Sequence, residues 1–463
     1  MALETEKGNK RGQDNWGKSV SRLPELLDDL NDWRRTAYST DVTPVLDGKE
    51  ITVFGRVVSV REQGGITFMI LQDMKGVVQV TAHTDKSPAL VLETLGSLKQ
   101  HSLVGIRGSV KSIAKAPHGA EIIPSEMKIL SKPQKKLPFD PYGRAEQSID
   151  KRLDMRVIDL LRPQSQAIFK IKSVVLEAMR GFLYEEGFIE VSTPKIISSA
   201  TEGGAALFPL LYYDKEAFLA QSPQLYKEQL ADVFEKVFEI GPIFRAEQFR
   251  TLKHLSEAIS VDIEQSYVTY ADVMNLLERM ISQVIEYVNS RCVEELSALK
   301  IKLEPPKLPL KRITYDEVIK ILEKGGVKIE WGDDLSTASL KSYSKMFPQY
   351  HFIIDWPTIS KAFYIKPKSG NPEICESFDF MHGSVELSSG GSRISNRKEL
   401  AKRLAEKGLN PKNFEYHLKI FDYGMPPHAG FGLGLDRLIM TLTGVENIRE
   451  VVLFPRDPQR LTP

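Results

Sequence analysis

Cysteine is almost missing. Cys292 and Cys375 are the only two in 463 residues, without metal-ligand spacing and far below the density of a disulfide scaffold. Both suit buried thiols in a reducing compartment, so a cytoplasmic setting is expected. Long apolar runs are also lacking. The opening stretch ETEKGNKRGQDNWGKS is polar and charged, which excludes a targeting or membrane-spanning segment there. Residues 1–21 read instead as a disordered tail. Nor is there an excess of one charge: 62 Lys and Arg against 61 Asp and Glu leave a net +1. No global field draws the chain to nucleic acid, and any RNA contact must use local patches. What remains, 42% hydrophobic and 27% charged, is ordinary globular stock with length for two or more domains.

Leu23 to Arg35 has helical periodicity and leads into a turn-rich entry. Five strand-like runs follow, near Ile51–Val60, Ile66–Leu71, Val77–Thr81, Leu103–Val110 and Ala120–Ile123. Turns such as Gln63-Gly64-Gly65 and Met74-Lys75-Gly76 separate them. With a helical stretch at Ser87–Gln100, this pattern fits an OB-fold barrel over residues 22–130. Such barrels hold single-stranded nucleic acid by stacking bases on aromatic rings. Phe68 lies mid-strand with Gln72 and Gln79 nearby, able to stack one base and hydrogen-bond another, although a strand Phe is more often core. Residues 131–162 are rich in Pro, Lys and Asp and read as a hinge. Residues 163–463 form the second domain.

Within it, Val237 to Glu264 reads as two strands joined by a polar loop. Ile259, Val261 and Ile263 point one way, and Ser260, Asp262 and Glu264 the other. A strand face carrying two carboxylates wants a polar cleft. Phe244-Arg245-Ala246-Glu247 puts a guanidinium and a carboxylate at the mouth of this hairpin, with Lys253 and His254 on the loop. An Arg fork at a strand end suits a phosphate. Taken alone, the same residues describe a solvated hairpin with surface ion pairs equally well. Upstream, Gln166–Glu186 is an amphipathic helix closed by Gly187, and a strand runs into Thr193-Pro194. Ser198–Phe208 is small, polar and Gly-paired, able to close over a ligand. Ser222-Pro223-Gln224-Leu225-Tyr226-Lys227 then opens a helix. Ser377–Met381 and Val385–Arg393 hold two carboxylates and a hydroxyl in a hairpin, hard oxygens of the kind that suit magnesium shared with phosphates. In Gly430–Arg437, glycines at alternate positions leave one strand face bare for a flat base, or mark a bend packed under a helix.

These segments together resemble the class II aminoacyl-tRNA synthetases, and among them the archaeal type of aspartyl-tRNA synthetase, over essentially all of the chain after Tyr38. The Phe244–Glu264 stretch is similar to motif 2, the Gln166–Glu186 helix with its strand and Pro194 to motif 1, and Gly430–Arg437 to motif 3. The resemblance implies an α+β fold: an N-terminal OB-fold anticodon-binding barrel joined by a hinge to a catalytic domain with an antiparallel sheet flanked by helices. It implies ATP-dependent activation of L-aspartate to aspartyl-adenylate and transfer to the 3′ end of tRNA(Asp), with tRNA(Asn) open as a second acceptor. Arg245 and Arg437 are the implied catalytic residues. Glu247, Lys253, His254, Glu386 and Gly434 join them around ATP. Glu202, Gln224, Lys227, Asp262, Ser389 and Arg393 take aspartate, and Glu386 and Ser389 hold Mg2+ with Asp379 as a third ligand. Arg56, Phe68, Gln72 and Gln79 face the anticodon. A homodimer through the motif 1 helix and Pro194 is implied, and no membrane. The chain departs from the family at Arg56, Gln72, Lys253 and Ala258, and carries Asp436 where Glu is commoner.

Three rivals stand beside this reading. An asparaginyl-tRNA synthetase is set against by Lys227, and a tRNA-independent asparagine synthetase by the barrel. A silent RNA-binding protein is set against by Arg245, Glu386, Arg393 and Arg437 all being present.

Overall fold

A computed structural model describes residues 27–143, 145–198, 207–248 and 251–463. It divides into two compact units, Met1–Asp140 and Pro141–Pro463. The tail and Glu202 lie outside the described residues.

The first unit is a closed barrel of five strands: β1 (Glu50–Gln63), β2 (Ile66–Gln72), β3 (Val77–His83), β4 (Leu103–Ser112) and β5 (Ala120–Ser131), in the order β1-β2-β3-β5-β4. Period-2 alternation fills it. Met69 and Leu71 of β2 and Val78 and Val80 of β3 point inward, while the residues between them stay half-buried outside. Helix α1 (Ala89–Ser97) joins β3 to β4 and adds Val91 and Leu95 to the same core. This is the expected OB-type architecture. The helix expected over Leu23–Arg35 is absent from its described part, which runs extended into a turn at Asn31. Asp28 bonds the backbone of Ile129 through both its own N–H, at 2.9 Å, and its carboxylate, at 2.8 Å. Pairing with β5 has thus displaced the weak local preference.

The second unit is built on eight strands. After helix α2 (Pro163–Glu185) come β6 (Ile189–Glu190), helix α3 (Gln224–Phe234), β7 (Lys236–Phe244), β8 (Glu257–Ser266) and helix α4 (Tyr270–Arg291). Then follow β9 (Lys311–Thr314), β10 (Tyr350–Ile354), β11 (Ser377–His382), β12 (Val385–Ser392), β13 (His428–Gly434) and helix α5 (Leu435–Thr443). The sheet order is β9-β10-β11-β12-β13-β8-β7-β6, with only the β6–β7 and β9–β10 pairs parallel. One face packs on α2 and α4: Ile171, Val175 and Met179, with Leu277, Ile281 and Val284, meet Val261, Ile263, Phe352 and Phe380. The alternate residues Ile353 and Met381 join a second core with Leu225 and Tyr315. The sheet is therefore covered on both faces, and the polar side of β8 opens within the second. Among the described residues no helix is long and apolar enough to cross a membrane.

The stretch expected as a hinge is half a packed element. Two short helices, Ile149–Asp154 and Arg156–Asp159, lie on the C-terminal segment. Arg156, 2% exposed, donates to the carbonyls of Glu450, Val452 and Leu453 and to Asp159. Arg152 bridges Asp159 and Glu450 at 2.7 Å each. Charge density here marks buried pairing, not solvent.

Candidate active site

A cavity of about 340 Å³ opens over the middle of the sheet, walled by β7, β8, β12 and β13 and by the start of α5. Ten expected site residues line it: Gln224, Arg245, Lys253, His254, Asp262, Glu386, Ser389, Arg393, Gly434 and Arg437. The β7–β8 hairpin has the register Phe244↔Glu257, so Arg245 leaves the sheet at the hairpin mouth. Its Nε donates to Glu247 at 2.9 Å, which places Glu247 beside the cavity.

One end of the cavity gathers cations. Arg437, in the first turn of α5, donates to the Glu386 carbonyl at 3.0 Å and faces His254 Nε2 at 3.3 Å. A guanidinium only donates, so Nε2 accepts and the proton of His254 sits on Nδ1, against Thr251 Oγ1 at 2.5 Å. Burial, with Arg437 and then Arg245 adding repulsion, holds His254 below the ordinary histidine range. Burial and Arg437 likewise depress Lys253, whose Nζ reaches the Ser384 carbonyl at 3.2 Å. Cations that weaken one another's charged state are matched by a polyanion.

The other end is buried and internally neutral. Arg393, 3% exposed, donates to both oxygens of Glu264 at 2.9 and 3.1 Å and to Gln224 Oε1 at 3.4 Å. Burial opposes its charge, but the Glu264 carboxylate outweighs it and keeps the guanidinium ionised. Lys227, 2% exposed, gives Nζ to Asp262 at 2.8 Å and to the Phe431 carbonyl at 3.1 Å, and lies 3.6 Å from Glu264. It does not line the cavity itself. Ser260 donates to the second oxygen of Asp262 at 2.5 Å. The polar face expected of β8 is therefore the floor that seats both cations, and the pairing of Glu264 with Arg393 is the part the sequence did not announce.

The oxygens expected for magnesium come from the neighbouring strands β11 and β12. Glu386 and Ser389 both line the cavity, a hard carboxylate and a hydroxyl on one strand, and this pair fits a metal that takes its other ligands from phosphate and water. Asp379 lies beside them, its carboxyl bonded to Ser389 and facing the charge of Glu386. Both its oxygens accept from Lys361, at 2.7 and 2.8 Å, and it is 5% exposed behind Ser389, its cross-strand partner. Burial pushes it up to about 6. Lys361, itself in the cavity wall, was not foreseen.

The bare glycine face of β13 is also corrected. A Cβ on Gly430 would meet Glu264 Oε2 at 2.3 Å, and one on Gly432 Asp262 Oδ1 at 3.2 Å. Those glycines make room for the carboxylates of β8. Only at Gly434 is there space, with nothing nearer than 3.7 Å. Asp436, in the cavity wall, joins Lys172 of α2, at 2.5 Å, to the Ile259 backbone of β8, at 3.0 Å.

On the barrel, Arg56 stands opposite Gln72, Gln79 opposite Ile70, and Thr81 opposite Phe68. Cross-strand partners share a face, so Arg56, Phe68, Gln72 and Gln79 lie together outside the core. Gln79 and Thr81 both donate to Glu121, at 2.8 and 2.6 Å, a carboxylate missed in the sequence. Arg56 touches His101 at 3.4 Å.

Residues 148–458 match the family described as tRNA synthetases class II (D, K and N), and residues 51–130 the OB-fold nucleic acid binding domain. Over 435 residues, 94% of this chain and 100% of the relative, the sequence is 47% identical to the aspartate–tRNA(Asp/Asn) ligase of Methanothermobacter thermautotrophicus. It is also 47% identical, over 93% of this chain and 100% of the relative, to the aspartate–tRNA(Asp) ligase of Pyrococcus abyssi. Among solved structures, asparaginyl-tRNA synthetase from Pyrococcus horikoshii with asparaginyl-adenylate superposes with a TM-score of 0.87 at 33% identity, over 93% of this chain and 100% of that one.

Proposed function

From the premise that the chain belongs to the class II tRNA synthetases of the D, K and N group, we propose that it is an aspartate–tRNA ligase. It activates L-aspartate with ATP and transfers the aspartyl group to tRNA(Asp). In the first step an oxygen of the aspartate α-carboxylate bonds to the α-phosphorus of ATP, and the bond to pyrophosphate breaks. In the second, the 3′-terminal ribose hydroxyl of tRNA attacks the activated carbonyl, loses its proton, and AMP leaves. The attacking carboxylate is already a nucleophile, so the first step needs positioning and charge neutralisation rather than a base.

One observation carries the reading: Arg393 lines one cavity with Arg245, Lys253, His254 and Arg437, and a second buried cation, Lys227, stands behind its wall on Asp262. Arg245 stabilises the α-phosphoryl group in flight, while Arg437 and His254 hold the pyrophosphate end and Gly434 leaves room for the base. Arg393 and Lys227 take the side-chain carboxylate, and Asp262 fixes the lysine. Gln224 and Glu202 take the α-ammonium, with Ser389 beside the carboxylates. Glu386 and Ser389 would hold Mg2+, which when bound neutralises phosphate charge. Asparagine would set an NH2 against these donors. Sites built on such pairing reject the wrong analogue by roughly 10⁴-fold, which disfavours the asparaginyl reading although that enzyme shares the fold. The barrel disfavours a tRNA-independent synthetase, and the convergence of charged residues disfavours a silent RNA binder.

The outer barrel face with Arg56, Phe68, Gln72 and Gln79 receives the anticodon, Phe68 by stacking. A homodimer forms along α2, β6 and Pro194. The support is the short, open edge strand β6 with apolar groups left out near it: Tyr184 is 53% exposed, Ile189 45% and Ile196 47%. Identity does not settle the acceptor, since relatives of both kinds match equally well. Charging purified transcripts that differ only in the last anticodon base tests this. Aspartylation of tRNA(Asp) is expected, and failure to charge it refutes the proposal.

A further inference from the structure

Behind the amino-acid end of the cavity lies a charged cluster that the reaction does not itself use. Glu228 follows Gln224 by one helical turn on α3 and is 0% exposed. Its Oε1 accepts from Gln224 Nε2 at 2.6 Å. Its Oε2 faces His417 Nε2 at 3.3 Å and His428 Nε2 at 3.8 Å. Both histidines are buried, at 0% and 1% exposed.

The bonds on the far sides of the rings fix their protons. His428 Nδ1 lies 2.8 Å from the Pro426 carbonyl, which can only accept, so Nδ1 carries a hydrogen. Its Nε2 then meets the carboxylate either as a lone pair, which repels, or as the N–H of an imidazolium, which attracts. At His417 the order is reversed. Gln229 Nε2 donates to the Leu225 carbonyl at 2.9 Å, and the same nitrogen faces His417 Nδ1 at 3.2 Å. Nδ1 therefore accepts, and a neutral His417 already has its proton on Nε2, toward Glu228.

We infer that Glu228, held by His428 and His417, is a positioning residue that fixes the Gln224 amide with its carbonyl oxygen toward the substrate's α-ammonium. This rests on the reading that Gln224 binds that ammonium. A carboxylate only accepts, so the NH2 end of Gln224 is committed to Glu228. The other end, Oε1, is turned to Arg393 Nη2 at 3.4 Å, and Gln224 lines the cavity. An ammonium needs an acceptor, and the reversed amide would show it donors.

The charges agree with the geometry. Burial works against a cationic His428, but the Glu228 carboxylate, aided by Glu264, lifts it above the ordinary histidine range. Burial works against an anionic Glu228, yet the two histidines hold it below the ordinary carboxylate range. The groups facing His428 are Glu228 from α3, Glu264 from β8 and His417, with Arg393 beyond Glu264. A second cavity on its flank is bordered by Glu399 and by Lys366 and Glu376, which pair with each other at 3.0 Å.

The test is aspartate-dependent pyrophosphate exchange by the full chain as a function of pH, followed onto the alkaline side, where a histidine raised by a carboxylate releases its proton. In the wild type, KM for aspartate should climb on the alkaline side as Glu228 loses its ionic partner, with kcat and KM for ATP steady. H428Q, whose amide cannot titrate, should lack that limb; comparison with it cancels titration of free aspartate. In E228Q the side chain satisfies either end of Gln224, so KM for aspartate should rise roughly tenfold, the worth of one hydrogen bond to a charged group, with KM for ATP unmoved. A role in folding alone would change all parameters together. A flat wild-type profile, a limb that persists in H428Q, or an unchanged KM in E228Q overturns the inference. The wild-type profile decides alone should either variant fail to fold. Absence of aspartate-dependent exchange in the wild type would sink the functional reading itself.

Discussion

Replacing Lys227 by Met separates stability from selectivity. The ammonium lies 2.8 Å from Asp262, and both residues are buried, at 2% and 4% exposed. Without it Asp262 keeps, among the described residues, the Ser260 hydroxyl at 2.5 Å. Breaking a buried pair by removing one partner costs about 3–5 kcal/mol, mostly through the stranded charge. The surviving hydroxyl bond places K227M near the lower end, about 3 kcal/mol. Adding D262N removes the stranded charge, so the double variant should recover most of that loss. Catalysis should not follow. A lost buried charge pair costs about 2–5 kcal/mol in binding, so kcat/KM for aspartate should fall about thirtyfold or more in both variants. Chemical denaturation reads the first quantity and pyrophosphate exchange the second. The reasoning is refuted if K227M unfolds like the wild type, or if the double variant regains aspartate activation along with stability.

Arg245→Ala should abolish adenylate formation while tRNA binding by filter retention survives; residual exchange near the wild-type rate would remove Arg245 from the phosphate. Phe68→Ala should weaken tRNA binding by about 1–3 kcal/mol, one stacked base, and unchanged affinity would take Phe68 off the anticodon. Burial and Arg437 hold His254 below its ordinary value in the free enzyme, and bound phosphates must raise it. Between those two values the complex holds more protons than the free enzyme, so affinity for ATP should increase as pH falls. H254Q should lose that component, and identical profiles would leave His254 without a phosphate.

Local rules made much of this legible. The alternation Ser260, Asp262, Glu264 announced a polar floor because strand side chains have a period of two, and β8 obeys it. The barrel strands were readable for the same reason. What failed was long-range. Glu264 and Arg393 are 129 positions apart, and no spacing rule joins them. Lys361 lies outside any strand or helix, on a segment between β10 and β11 that offers no period to read. Arg152, Arg156 and Asp159 fell in a stretch read as a hinge because composition cannot tell a paired charge from a wet one. The glycines of β13 looked like a seat for a base because nothing local reveals that the neighbouring strand fills it with carboxylates.

The central claim is that two buried cations select a side-chain carboxylate beside a phosphate-binding cluster. Pyrophosphate exchange into ATP, run with aspartate and asparagine in parallel on the same preparation, measures it most directly. Exchange with aspartate is expected, with a kcat/KM for asparagine lower by roughly 10⁴. Comparable exchange with asparagine, or a preference for it, would contradict the assignment of Arg393 and Lys227.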